Sequence, residues 1–331
     1  MKTILASAVL FLATTANVAQ GQAVAPTILR IDVENFVQYV EDTSDLSMFA
    51  TNQGITTINP PRNFHSFVTL ADIVAVNGQP ATGTVLFDIR VVLLRPSPAA
   101  GAAIADTQRS GIRNSTFEIL TSEGTPVGTI MATGLFAGVA PPGAPLDALV
   151  GNDAIVGGTG AFLGARGYAG QAAQTVPPRG ASITEDPANR RRNGGGKTRY
   201  VLHVIPLARP EVLTTSSGPT ILHSDFSPVN AAQPARAGEV LILVATGLGP
   251  TRPGVDPGKP FPADPLPQLT SPLEVTVNGK PAEILLSIGR PGTTDRYRVD
   301  FRVPEGTTAG LGTVQLSTAW IAGPEAAIAI Q

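Results

Sequence analysis

Glycine and proline punctuate this chain every few residues, 35 of one and 30 of the other in 331, and that spacing favours short strands joined by turns over long helices. The densest stretch is Asp153-Ala-Ile-Val-Gly-Gly-Thr-Gly-Ala-Phe-Leu-Gly-Ala-Arg-Gly-Tyr168. Ile155 and Val156 read as strand. Gly157, Gly158 and Gly160 then supply a tight corner that residues bearing a Cβ would resist. Gly164 and Gly167 thin the second strand where a neighbouring backbone or a ligand comes close. The corner delivers Arg166 and Tyr168 into a wall.

A chain of this length predicts two domains. Its hydrophobic content of 43% suffices for full cores, and a net charge of -2 gives no field to attract nucleic acid or an acidic surface. Cysteine is absent, which excludes disulfides, thiolate metal sites and a cysteine nucleophile. Lys2 precedes an apolar run from Ile4 to Ala13, followed by the small residues Ala19, Gly21 and Ala23. This is the pattern of a secretory signal over 1–23, cleaved near Gly21 or Ala23. Thr14, Thr15, Asn17 and Gln20 interrupt the run too early for a membrane anchor. The expectation is an exported protein, secreted or periplasmic, without membrane insertion.

Beyond the signal, Leu29, Ile31, Val33, Val37 and Tyr39 alternate with polar residues at the period of a half-buried strand. Glu41, Asp42 and Asp45 lack the spacing of a calcium loop and read as a solvated turn. A hairpin follows, Phe67 to Val76 and Gly83 to Leu94 about the turn Asn77-Gly78-Gln79-Pro80. In its return strand Val85, Phe87, Ile89, Val91 and Leu93 form one apolar face, as in the wall of a barrel or sandwich. Ser115 to Leu120 and Val127 to Phe136 give a second hairpin. Arg190-Arg191-Arg192 reads as a solvated loop without a partner, since no aromatic residues interleave with it. Tyr200 to Leu207 alternates as a last strand.

The texture changes near Arg209, where we place a boundary between domains spanning 24–209 and 210–331. Residues 211 to 237 read as an irregular connector. Glu239 to Thr246, Leu273 to Val277, Ala282 to Ile288, Tyr297 to Val303, Thr313 to Ser317 and Ala326 to Ile330 then follow as the strands of an all-β sandwich.

Several chemical signatures fail on spacing. Gly158-Thr-Gly160 has Leu163 where a dinucleotide fingerprint needs its third glycine, and Gly196-Lys197-Thr198 has Arg191 where a phosphate loop needs its first. There is neither a Gly-x-Ser-x-Gly elbow nor a zinc-protease motif. His65, His203 and His223 are scattered, His203 reading as a wall residue, so no metal and no cofactor is expected. Asn114-Ser-Thr116 fits the glycosylation pattern, relevant only in a host that performs that chemistry.

The segment Ile155 to Tyr168 resembles the signature of dirigent proteins and the related allene oxide cyclase barrels. Ala71-Asp-Ile-Val74 with Asn77-Gly78 resembles that family's opening strand, and Thr198-Arg-Tyr-Val-Leu-His203 its closing one. The match covers scattered blocks over roughly 64 to 207. It implies an antiparallel, calycin-type barrel of about eight strands that can enclose one small ligand. By family resemblance such barrels are usually homotrimers that hold phenoxy radicals and bias their coupling, and some members catalyse cyclisations. Carried over by position, Asp72 and Arg166 are the candidate catalytic residues, the alternatives being that Arg166 braces the wall through a salt bridge and Asp72 caps a strand; Tyr168, Phe162 and His203 are the candidate ligand contacts. Where several plant members place an aspartate after Gly-Gly-Thr-Gly, this chain has Ala161, so a paired-carboxylate mechanism lacks one partner.

Pro234 to Thr251, Val275 to Gly279 and Tyr297 to Pro304 look like a C-terminal module abundant in exported proteins of Acidobacteria, similar to immunoglobulin-like sandwiches and matching roughly 225 to 331. Such modules imply a spacer, stability or surface-interaction role, with Trp320 in a core rather than a ligand platform. Two functions follow. One is an exported barrel that binds a small apolar or phenolic molecule and steers its coupling or cyclisation. The other is a non-enzymatic extracytoplasmic surface or matrix interaction protein. An open lumen with Asp72 and Arg166 pointing inward would favour the first.

Overall fold

The computed structural model describes residues 27–41, 64–92, 110–136, 150–172 and 176–331. The signal-like segment, Asp42, Asp45 and the end of the first hairpin beyond Val92 lie outside the described residues. Among those described, no helix is long and apolar enough to cross a membrane.

The first half of the chain forms β1 (Thr27–Glu41), β2 (Phe64–Val76), β3 (Gln79–Val92), β4 (Ser110–Thr121), β5 (Pro126–Phe136), β6 (Val150–Gly160), β7 (Arg166–Gln171), β8 (Arg179–Ser182) and β9 (Gly196–Ile205). Neighbours pair antiparallel from β1 through β7. β7 then pairs with β9, and β9 returns to β1. The ring is therefore a closed barrel of eight antiparallel strands, the one the resemblance implies of the two architectures that the alternation left open. β8 stands outside that count: past a bulge at Asn35, whose φ is +52°, β1 leaves β9 and pairs parallel with β8 over Val37–Val40.

Closure assigns each strand an inner and an outer face. Leu29, Ile31 and Val33 of β1, Ala71 and Ile73 of β2, Val85, Phe87 and Ile89 of β3, and Tyr200, Leu202 and Val204 of β9 all belong to one buried cluster. Alternate residues face out. The hairpin turn Asn77-Gly78 has φ of +51° and +78°, the mirror-image geometry that suits the right-handed twist of two strands.

The glycine-dense stretch turns later than its sequence suggests. β6 continues through Gly157, Gly158 and Gly160, and the reversal falls at 161–164. A Cβ on Gly158 would lie 2.3 Å from the Phe162 carbonyl oxygen. The missing side chain thus lets the turn fold back and seat Phe162, 1% exposed, inside the barrel.

Beyond Pro210 two further antiparallel sheets share one apolar cluster. One is built around 240–246, 283–289 and 297–302, the other around 273–277, 310–318 and 321–330. Residues 211–237, expected to be an irregular connector, include four two-residue strands, two of which pair with the strand at 240–246. The tip between the last two strands reaches the barrel: Ala319 and Ile321 are buried in the barrel cluster, and Trp320 packs against it. The Trp320 indole nitrogen donates to Gln79 Oε1 at 2.9 Å, and Thr318 Oγ1 donates to the Leu248 carbonyl at 3.1 Å. This end carries the short β2–β3, β4–β5 and β6–β7 connections. The longer connections leave from the other end.

Because Ile321 fills the barrel from the C-terminal half, Ile321→Ala should cost about 2–5 kcal/mol, the range for emptying a large aliphatic site. Calorimetry should show the loss in the transition of the barrel, not only in that of the C-terminal sheets.

Candidate functional site

In β4 the residues Arg113, Ser115, Phe117 and Ile119 share a face, and Phe117 and Ile119 belong to the barrel cluster. Arg113 and Ser115 therefore project into the lumen, 3% and 2% exposed. By the same alternation Asp153 of β6 lies on the face of Ile155, and it is 2% exposed. Between these two strands runs β5, where Gly134 pairs with Arg113 on one side and with Asp153 on the other. Glycine offers no side chain in that row, and the guanidinium and carboxylate meet across it. Arg113 Nε and Nη2 each lie 2.8 Å from Asp153 Oδ2, and Ser115 Oγ donates to the same oxygen at 3.2 Å.

Aromatic rings pack around this pair. The Arg113 guanidinium lies 5.5 Å from the centre of the Phe87 ring, close enough for a cation–π contribution. Tyr200 lies 5.2 Å from Phe87, 5.5 Å from Phe117 and 6.4 Å from Phe36, centroid to centroid. Burial pushes the Tyr200 hydroxyl pKa far up; the nearby Arg113 pulls it back slightly and Asp153 adds to the rise. It is therefore a neutral phenol at any physiological pH. Further polar residues extend the layer: Gln171 Nε2 donates to Thr198 Oγ1 at 3.0 Å, both buried, and His65 stacks on Phe67 at 6.2 Å. These residues sit toward the strand ends that carry the long connections, opposite the end filled by Ala319 and Ile321.

The structure does not bring the residues singled out by resemblance together in the lumen. Asp72 lies between the inward-facing Ala71 and Ile73 and faces outward. There it is buried beneath the segment 179–195, which packs on the outer wall through Val37, Tyr39 and Ala181. Its carboxylate accepts hydrogen bonds from Asn35 Nδ2 at 2.9 Å, Arg190 Nη2 at 2.5 Å, and Arg191 Nε and Nη2 at 2.9 Å each. The arginine run is thus no solvated loop: Arg190 and Arg191 neutralise a carboxylate 118 and 119 residues away, which a buried charge requires. Burial pushes the Asp72 pKa up, but the hydrogen bonds from Arg191, Asn35 and Arg190 outweigh it and hold the group below its ordinary value.

Arg166 is exposed on β7 and donates to the Val156 and Ala165 carbonyls at 2.6 and 3.0 Å. It makes no pair with Asp72. Tyr168 and His203 are half-buried cross-strand neighbours on the same outward face. Of the five, Phe162 alone enters the barrel, at the end filled by the C-terminal tip. Among the described residues, no three His, Asp or Glu side chains converge as a metal site would need.

No protein-family model matches the chain, and no curated protein matches it. Among solved structures, a polysaccharide lyase shows 9% identity and a TM-score of 0.17, over 92% of this chain and 40% of that one. The chain spans well under half the length of that protein, and a likeness this faint carries no argument about fold or activity.

The depressed Asp72 pKa has a definite sign. A carboxylate whose pKa is lowered by folding stabilises the fold above its unfolded value, about 3.9, and loses that contribution as pH falls through the lower folded value. Wild type should therefore exceed Asp72→Asn in melting temperature at neutral pH, the gap closing as the solution is acidified below about pH 4. A gap that held constant into strong acid would contradict the ion-pair assignment.

Proposed function

We propose that the barrel binds a small phenolic or otherwise largely apolar molecule bearing one polar group, at the lumen end lined by Arg113, Asp153 and Tyr200. The observation that carries this reading is the ion pair inside an apolar barrel. Withdrawing two charges from water costs several kcal/mol each, and apolar residues of similar volume often serve stability as well or better. Stability alone therefore gives weak reason for Arg113 and Asp153. Recognition gives a stronger one: the carboxylate accepts a hydrogen bond from a ligand hydroxyl, the guanidinium donates to a ligand oxygen, and neutral Tyr200 does either. Phe36, Phe87 and Phe117 offer ring faces and edges to the body of the molecule.

The resemblance of the Ile155 to Tyr168 stretch to dirigent proteins supports the phenolic class and a role in steering coupling or cyclisation. In this reading the barrel acts by holding its guest in one orientation, with the lumen pair in the place where Asp72 and Arg166 were expected. We read the C-terminal half as an immunoglobulin-like module that closes one end of the barrel. The signal-like start supports an extracytoplasmic location. Exposed Leu86, Ile112, Met131 and Val156 on four successive strands, β3 to β6, support a homotrimer formed through the barrel wall.

Native mass spectrometry of protein purified from its own host, beside an Arg113→Met/Asp153→Val double variant, tests this. Wild type should carry a small-molecule adduct on each subunit of a trimer. The double variant should lose the adduct while its stability is unchanged or raised by about 1–4 kcal/mol, as when a buried pair becomes apolar. Wild type without an adduct, or a double variant that keeps it, would contradict the proposal.

A further inference from the structure

A second concave site lies where the barrel meets the C-terminal tip. A cleft of about 390 Å³ is lined by Gln79, Ser122, Glu123 and Thr125 from the barrel turns and by Ser271 and Trp320 from the C-terminal half, among others. A second cleft of about 230 Å³ shares Gln79, Pro272 and Trp320 and adds Glu274 and Ser317. The indole thus lines both hollows, and the larger one by itself falls within the size range of small-molecule sites.

Three features set the chemistry. First, Trp320 is held in place: its ring nitrogen is bonded to Gln79, and it and Ala319 have φ of +62° and +47°, a conformation unfavourable for residues with a Cβ. The sequence placed Trp320 in a core, yet it is half-buried, packed on the barrel on one side and lining the clefts on the other. Second, the remaining polar lining is short hydroxyls, one amide and two carboxylates, with no lysine or arginine in either cleft. That disfavours an anion and suits a neutral ligand rich in hydroxyls. Third, Ser271 is 6% exposed and its hydroxyl has no hydrogen-bond partner, a state that buried polar groups rarely keep.

We propose that this seam is a binding site for a neutral oligosaccharide, the apolar face of one sugar ring lying on Trp320 and its hydroxyls bonded by Gln79, Ser122, Glu123 and Ser271. The site is separate from the lumen and stands or falls independently of it.

Trp320 is the sole tryptophan of the chain, so its fluorescence reports this seam directly. The full chain would be titrated with cellohexaose, maltohexaose and xylohexaose, with calorimetry in parallel. At least one should give a saturable change in emission matched by heat. Ser122→Arg, at the exposed rim, should weaken that binding at least tenfold while leaving the melting temperature unchanged. Silence from all three sugars in both measurements, or binding that Ser122→Arg leaves intact, would overturn the proposal.

Discussion

The barrel depends on β1 accepting a neighbour along both edges, β2 on one side and β9 on the other. That closure removes the open edge of the sheet and divides the residues of its strands between lumen and outer wall. Chemistry in the lumen then requires polar residues in the inward register, and only some of the chain's charges occupy it. Arg113 and Asp153 do. Asp72 and Arg166, one position out of that register on their own strands, do not.

The two placements of charge have different physical consequences. Outside, Asp72 is buried only because the segment 179–195 covers it, and the same segment brings Arg190 and Arg191 to neutralise it. The carboxylate and its arginines form a clasp that fixes that segment to the wall. Inside, Arg113 and Asp153 have strand positions of their own and clasp nothing. They meet across a glycine row, against aromatic rings, at the end of the barrel that the C-terminal tip leaves alone. The tip itself does two things at the other end, filling the barrel with Ala319 and Ile321 and setting Trp320 on the seam.

Much of this fold was legible in the sequence. Alternation and the Asn77-Gly78 turn gave the first hairpin, and the register of Val85, Phe87 and Ile89 gave its inner face. What local reading missed are contacts between distant residues. Two of the two-residue strands within 211–237 exist because the strand at 240–246 offers them an edge, the other two pair with each other, and the partner of Arg190 lies more than a hundred residues away. The lumen pair had a signal that went unread: Arg113 and Ser115 continue the apolar face of Phe117 and Ile119, and Asp153 continues that of Ile155. A charge in the inward register of two strands flanking a third marks a barrel interior more directly than a motif does. Family resemblance drew attention to Asp72 instead, although Ala71 and Ile73 beside it already pointed inward.

The central claim is that the lumen beside Arg113 and Asp153 receives a small molecule. A crystal structure of the protein as purified from its own host tests it most directly. The account predicts non-protein density bounded by Phe36, Phe87 and Tyr200, with one polar atom within hydrogen-bonding distance of the pair. A lumen filled at that level entirely by the protein's own side chains would contradict it.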